Sequence, residues 1–148
     1  MMMSDSTPIE LLADELDDWL RHRFSYRART TDLSGNVINA RRVRFDLYLR
    51  LISPSYENRL WPQHTLVIAR IGFSEKHKGH GRALLQFLLS RAERYGYDKI
   101  AVESAGGDIG IQSFCAKFFL KLDTSSGCPF NWIASVEHVS HELFKDEA

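Results

Sequence analysis

The sequence predicts an α+β fold in which a mixed central sheet is flanked by helices. Three observations lead to this prediction. Residues 43–52 alternate between apolar and polar side chains, which is typical of a strand with one buried face. Residues 66–69 are apolar on both faces, as in a central strand. Residues 64–104 read as strand, loop, helix and strand, an order that predicts a parallel pair of strands.

The length and composition indicate an ordinary globular protein. A chain of 148 residues fits one domain, which we place over residues 1–148. The chain has 19 Lys and Arg residues and 19 Asp and Glu residues. This balance argues against binding of nucleic acid through the overall charge of the protein. No apolar run is long enough to span a bilayer, and the first residues lack the pattern of a signal peptide. We therefore expect a cytoplasmic protein with no membrane contact.

The first half of the chain predicts a helix and an antiparallel meander. Thr7 can cap a helix, Pro8 suits its first position, and Glu10 completes a capping box, so the helix runs from Pro8 to about Arg23. Alternation over residues 24–28 predicts a strand, and residues 34–36 have a turn composition. A long strand follows over residues 43–52.

The second half predicts a βαβ unit and a closing segment. Its strands cover residues 64–73 and 99–104, and its helix runs from about Gly81 to Tyr95, with Gly96 as a stop signal. A further helix, capped by Asp108, buries one face that includes Cys115. Residues 130–144 are predicted to form one or two closing strands.

The loop between the buried strand and the amphipathic helix is the strongest candidate site. It reads Lys76-His77-Lys78-Gly79-His80-Gly81 and is followed by Arg82. Amides at a helix start point outward, glycines let phosphate oxygens approach the backbone, and the cations add positive charge. The sequence therefore predicts a phosphate site. The alternatives are a solvated basic turn or a metal site at His77 and His80, for which no third ligand is in view.

This loop resembles the cofactor motif of the GNAT superfamily of acetyltransferases, although Lys76 stands where Arg or Gln is usual. A second segment, residues 112–124, is similar to the family's later helix. There Gln112 stands at an Asn position and Phe119 at the position of a Tyr. The likeness covers roughly residues 66–124.

The resemblance implies acetyl-CoA (coenzyme A) as the cofactor and a small-molecule or protein amine as the acceptor. Backbone groups of Ile71 and Phe73 would pair with the pantetheine arm, amides from His77 to Arg82 would hold the pyrophosphate, and Gln112 would bond the arm. The usual Tyr protonates the leaving thiolate, whereas Phe119 has no proton to donate.

Several functional alternatives remain open. Glu103 is the candidate general base, and its competing interpretation is a solvent-facing carboxylate; His138 and His141 are weaker candidates. The function is either N-acetyl transfer or binding without transfer, with nucleic-acid binding as a third alternative. The apolar C-terminal segment leaves a homodimer open, and no metal site is expected.

Overall fold

A computed structural model describes residues 7–56, 61–103, 113, 115–117 and 131–145. Six strands form one sheet in sequence order, and every neighbouring pair is antiparallel except β4 with β5. The strands are β1 (Thr31–Ser34), β2 (Val37–Arg42), β3 (Phe45–Ile52), β4 (Thr65–Phe73), β5 (Lys99–Val102) and β6 (Trp132–Ser135). The helices with described bounds are α1 (Pro8–Phe24), α2 (His80–Ala92) and α3 (Val136–Phe144). The predicted α+β fold with a mixed sheet is confirmed.

Helix α1 begins at the predicted capping box, in which the Thr7 hydroxyl accepts from the Glu10 amide at 3.1 Å. The helix runs through Phe24, whose ring is buried, and ends where Ser25 adopts a left-handed conformation with φ 61°. The strand predicted over residues 24–28 is therefore wrong. Phe24 follows Leu20 by four residues, so it extends the buried helical face, and that spacing outweighs the short alternation after it.

The meander has one more strand than the sequence predicted. Strands β2 and β3 are separate and meet at a turn at Val43 and Arg44. Val43 was predicted to lie on the buried face of a long strand, but its side chain is 92% exposed. The prediction failed because the apolar Val43 happens to fall in phase with the alternation of β3.

The predicted βαβ unit is confirmed. Strands β4 and β5 pair in parallel, and α2 makes the crossover between them. Helix α2 begins at His80, one residue before the predicted start. It ends at Ala92, and turns lead from there to Gly96, which has φ 86°.

The closing segment is a strand followed by a helix. Strand β6 pairs with β5, and the Ser135 hydroxyl then caps α3 by accepting from the His138 amide at 3.0 Å. The prediction of strands up to Phe144 is therefore wrong after Ser135, and His138 and His141 lie on a helix. The predicted helix around Cys115 is described only at Ser113 and residues 115–117, where it is helical and Cys115 is buried.

The three helices cover one face of the sheet. Their apolar stripes and the inward side chains of the strands form one large cluster, and burial of such side chains is the main stabilising contribution to a fold of this kind. A smaller cluster on the opposite face contains Ile52, Trp61, Val67 and Ala101. None of the helices that the structure describes is long and apolar enough to cross a membrane.

Candidate functional site

The described pairing of the two parallel strands, β4 and β5, ends halfway along β4. Their pairing ends at Ile68 and Val102, and one further bond joins the Glu103 amide to the Ile68 carbonyl at 3.0 Å. Strand β4 continues to Phe73, so residues 69–73 extend beyond the described end of the pairing. Among the described residues, none of β5 pairs with residues 69–73, so this part of β4 has an unpaired backbone edge within the described sheet.

A bulge determines which backbone groups face this open edge. Tyr48 opposes Arg70 while Leu49 opposes Ile68, so Ala69 is an extra residue in β4. After the bulge, the Ser74 amide donates to the Arg44 carbonyl at 3.1 Å, toward β3. Because backbone groups alternate along a strand, those of Phe73 and Ile71 point away from β3 and toward the open edge.

The loop after β4 leads directly into a helix start that lacks a capping side chain. Gly79 is the N-cap of α2 with φ 77°, and the first bond within the helix joins the Ala83 amide to the Gly79 carbonyl at 2.9 Å. By helix geometry, the amides of His80 and Gly81 have no acceptor inside the helix. No acidic residue lies in the first turn, and a Cβ added at Gly79 would meet no atom within 4 Å. The helix start is open and electropositive, as an anion site requires.

The predicted cations of the loop divide into two groups. Lys76, His77 and Lys78 are exposed, and the two lysines form no ion pair with any residue in the described part of the chain. Arg82 instead donates to the Leu143 carbonyl at 2.6 Å, so it ties α2 to the last turn of α3. The lysines thus lie beside the helix start, while one hydrogen bond of Arg82 is structural.

His80 packs inward between α1 and β4. Its ring lies 4.8 Å from the Phe24 centroid and 5.4 Å from that of Phe73, and its Nδ1 accepts from Arg23 Nε at 2.9 Å. Its Nε2 lies 3.7 Å from Glu75 Oε1 and has no hydrogen-bond partner among the described residues. Burial, followed by the charge of Arg23, lowers the pKa of His80 from 6.5, so the ring is neutral at pH 7. His80 thus fixes the helix start against α1 and adds no charge to the loop.

Glu75 places one negative charge in the loop, and Arg44 offsets it. The Arg44 guanidinium forms an ion pair with Glu75 and also donates to the Phe24 carbonyl at 3.2 Å. The hydrogen bond from Arg44 lowers the pKa of Glu75, which keeps this carboxylate ionised and paired. The turn between β2 and β3 is therefore joined to the loop and to the end of α1.

Glu103 lies directly after the last paired residue of β5, and both of its carboxylate oxygens accept hydrogen bonds. Arg50 Nη1 lies 2.6 Å from each carboxylate oxygen, and Trp61 Nε1 donates to Oε2 at 3.2 Å. The bond to Glu103 raises the pKa of Arg50, whose guanidinium also lies 5.4 Å from the Tyr48 ring centroid. The side chain of Glu103 is 16% exposed, so the carboxylate is neither a fully solvated group nor an unpaired one.

The partners that hold these residues could not be predicted from the sequence. At Glu103 these partners are Arg50 and Trp61, and at the loop they are Arg23 and Arg44. Each is 31 or more residues away in the chain from the residue that it contacts, and no local pattern marks it. Gln112 and Phe119 lie outside the described residues. In the described part of the chain, no three His, Cys, Asp or Glu side chains converge as metal ligands would.

The chain is similar to known proteins in its structure but not in its sequence. No protein-family model matches the chain, and no curated protein matches its sequence. A GNAT-family acetyltransferase from Staphylococcus aureus Mu50 superposes with a TM-score of 0.51 at 10% identity, covering 91% of this chain and 97% of that one.

Two further solved structures are less similar. Tetrahymena GCN5 gives a TM-score of 0.47 at 11% identity and covers 90% of this chain and 92% of its own. A Bacillus subtilis acetyltransferase, solved in complex with CoA, gives 0.38 at 16% identity and covers 90% and 93%. The staphylococcal match over nearly the full length of both chains carries the assignment of the fold. The chain therefore has the fold of the GNAT acetyltransferases.

Proposed function

We propose that this protein is an N-acetyltransferase that transfers the acetyl group of acetyl-CoA to an amine by direct attack in a ternary complex. One observation carries the proposal: the described pairing of β4 with β5 ends at Ile68, and β4 then continues to Phe73 and leads through residues 74–79 into a glycine-capped helix start flanked by exposed lysines. An extended thiol-bearing chain that is joined to a diphosphate suits this combination. The unpaired edge of β4 offers backbone hydrogen bonds to the extended chain, and the helix start offers amides to the diphosphate.

The described residues fit such a cofactor. The amides of residues 77–82 would hold the diphosphate, Lys76 and Lys78 would add positive charge, and the free space at Gly79 leaves room for phosphate oxygens. Backbone groups of Ile71 and Phe73 would pair with the pantetheine arm. By resemblance to the family we also assign Gln112 and Phe119 to the wall of this site.

When bound, acetyl-CoA supplies a thioester carbonyl for attack, and the chain must remove a proton from the acceptor amine. We assign that role to Glu103. Its amide donates the last described hydrogen bond between β5 and β4, to the Ile68 carbonyl. From the described residues, Oε2 accepts two hydrogen bonds and Oε1 accepts one. Each carboxylate oxygen has about two acceptor sites. Oε1 is therefore the atom with room to take a proton, directly or through water.

A binding module without transferase activity is the second candidate. Two observations favour it: Phe119 replaces the usual acid, and the Glu103 carboxylate is paired with Arg50 and Trp61. Loss of one general acid typically lowers a rate by about 10²- to 10⁴-fold, so slow transfer and no transfer are both chemically reasonable.

Calorimetry with CoA, together with thiol release from acetyl-CoA over a panel of amines, separates these candidates. Binding with thiol release supports the transferase, binding without release supports the module, and absence of CoA binding refutes both. Lys78→Glu places a negative charge beside the helix start and should weaken CoA binding at least about tenfold. Lys99→Glu is the matched control, because it makes the same charge change at the opposite end of the sheet.

A further inference from the structure

The structure brings separate basic segments of the chain together at one end of the molecule. Arg44 in the β2–β3 turn contacts both the end of α1 and the loop after β4. Arg42, the last residue of β2, donates to the Arg29 carbonyl at 2.6 Å, and Arg21 donates to the Arg27 carbonyl. The segment between α1 and β1 is thus held against the turn, although the sequence separates these segments widely.

Several cations at this end have no carboxylate partner in the described part of the chain. Arg23 donates to the neutral His80, and Arg42 donates to the carbonyls of Arg29 and Arg41. Carbonyl and neutral imidazole acceptors carry no net charge, so no direct partner among the described residues cancels the charges of Arg23 and Arg42. We call the basic end the set Arg23, Arg27, Arg42, Lys76 and Lys78, all of which are exposed.

The chain as a whole has no net charge, so the basic end reflects an uneven distribution of charges. Such a surface attracts anionic partners locally and at distances up to about 8 Å at physiological salt, beyond which screening dominates. An exposed apolar side chain, Val43, lies in the turn at this end. An apolar side chain of a partner that covers Val43 would gain free energy from burial of apolar surface. A phosphate backbone has no apolar side chains and would gain little from the same contact.

Aromatic side chains at this end are committed to the core. Phe24 packs on Phe45 and Phe73, and Tyr26 packs edge-on against Phe45. Single-stranded nucleic acids are held largely by stacking of bases on exposed aromatic rings. Phe24 and Phe45 are buried, and Tyr26 and Phe73 are half-buried in these contacts, so little of their surface is offered for stacking and the surface is better matched to an acidic polypeptide.

We propose that the basic end is a docking surface for an acidic segment of a partner protein that carries apolar side chains among its carboxylates. The carboxylates contact Arg27, Arg42 and their neighbours, and an apolar side chain covers Val43. This surface adjoins the proposed cofactor loop, and Arg27, Arg42 and Val43 lie outside that loop. Binding of the partner can therefore be tested independently of CoA.

The test is fluorescence anisotropy with the full chain and a short labelled peptide in which Glu and Asp flank leucines. The controls are the same peptide with Gln and Asn in place of the acids, and an oligouridylate of equal charge. We expect binding of the acidic peptide that weakens with added salt, and little binding of either control. Arg27→Glu with Arg42→Glu should weaken binding at least about tenfold, since each reversal replaces an attraction by a repulsion.

Matched variants decide whether the effect belongs to this surface. Val43→Ser should weaken binding about threefold by removing apolar contact. Arg94→Glu, an exposed position after the far end of α2, should change it little. All variants should remain folded at the assay temperature, as their unfolding curves will show, and should keep the CoA affinity of the parent chain. Equal binding of the neutral peptide, equal loss with Arg94→Glu, or tighter binding of the oligouridylate would each overturn the proposal.

Discussion

Replacing Gly81 by Ala should stabilise the protein and weaken CoA binding at the same time. Gly81 lies inside the first turn of α2, where alanine is the better helix former by roughly 0.5–1 kcal/mol. For a chain of this size that gain corresponds to a rise of roughly 1–4 °C in the unfolding temperature. The new methyl group would hold phosphate oxygens away from the helix amides. Loss of one charge-assisted hydrogen bond costs about 1.5–3 kcal/mol, which is about a 10- to 100-fold loss of affinity.

Gly79→Ala is the informative companion variant. Gly79 has φ 77°, so an L-residue there is strained by about 1–2 kcal/mol, although its Cβ would meet no atom within 4 Å. We therefore expect Gly79→Ala to lower the unfolding temperature and Gly81→Ala to raise it, while both weaken CoA binding. Differential scanning fluorimetry and titration calorimetry measure the two effects separately. A Gly81→Ala protein that binds CoA as tightly as the parent would refute the assignment of the helix start as the diphosphate site.

Three further predictions concern two groups at the site and one buried carboxylate of α1. Burial lowers the pKa of His80 from 6.5, so the unfolded chain takes up its proton more readily than the folded one, and stability present above about pH 6.5 is lost as the pH falls. His80→Gln should remove part of that loss, and a pH series of unfolding temperatures with the same slope in both proteins would contradict this explanation. Glu103→Gln should lower the rate of acetyl transfer by about 10²- to 10⁴-fold, with CoA affinity unchanged. Trp61→Phe removes only one hydrogen bond to Glu103 and should cost far less in stopped-flow measurements; equal losses would indicate a structural role for Glu103. Asp17→Ala should cost about 1–3 kcal/mol in urea unfolding, because it leaves the buried Thr30 amide and hydroxyl without their acceptor; an unchanged midpoint would show that water replaces the carboxylate.

The parts of the fold that could be predicted are those in which the signal and the structure lie close together in sequence. The capping box at Thr7 and the βαβ unit are local patterns, and both are confirmed. The loop could be identified as a candidate phosphate site for the same reason. The glycines, the lysines and the helix that follows are neighbours in the chain.

The errors arose where two local patterns competed or where tertiary packing overruled a pattern. The ring of Phe24 fits both a short alternation and the face of α1, and burial against Phe45 and Phe73 favours the helix. Val43 fits the alternation of β3, yet the pairing of β2 with β3 leaves it in the connecting turn. The segment after Ser135 has apolar residues that suit a strand or a helix, and the contacts of α3 with α2 settle it as a helix.

The sequence by itself determined the order of strand, phosphate-type loop and helix, because hydrophobic periodicity and glycine placement act over a few residues. Only the tertiary structure decided which side chains surround the site. Arg50 reaches Glu103 across 53 positions of the chain, and Arg23 reaches His80 across 57. Such pairs depend on strand register and on the angle at which helices pack, and no local pattern in a single sequence specifies these.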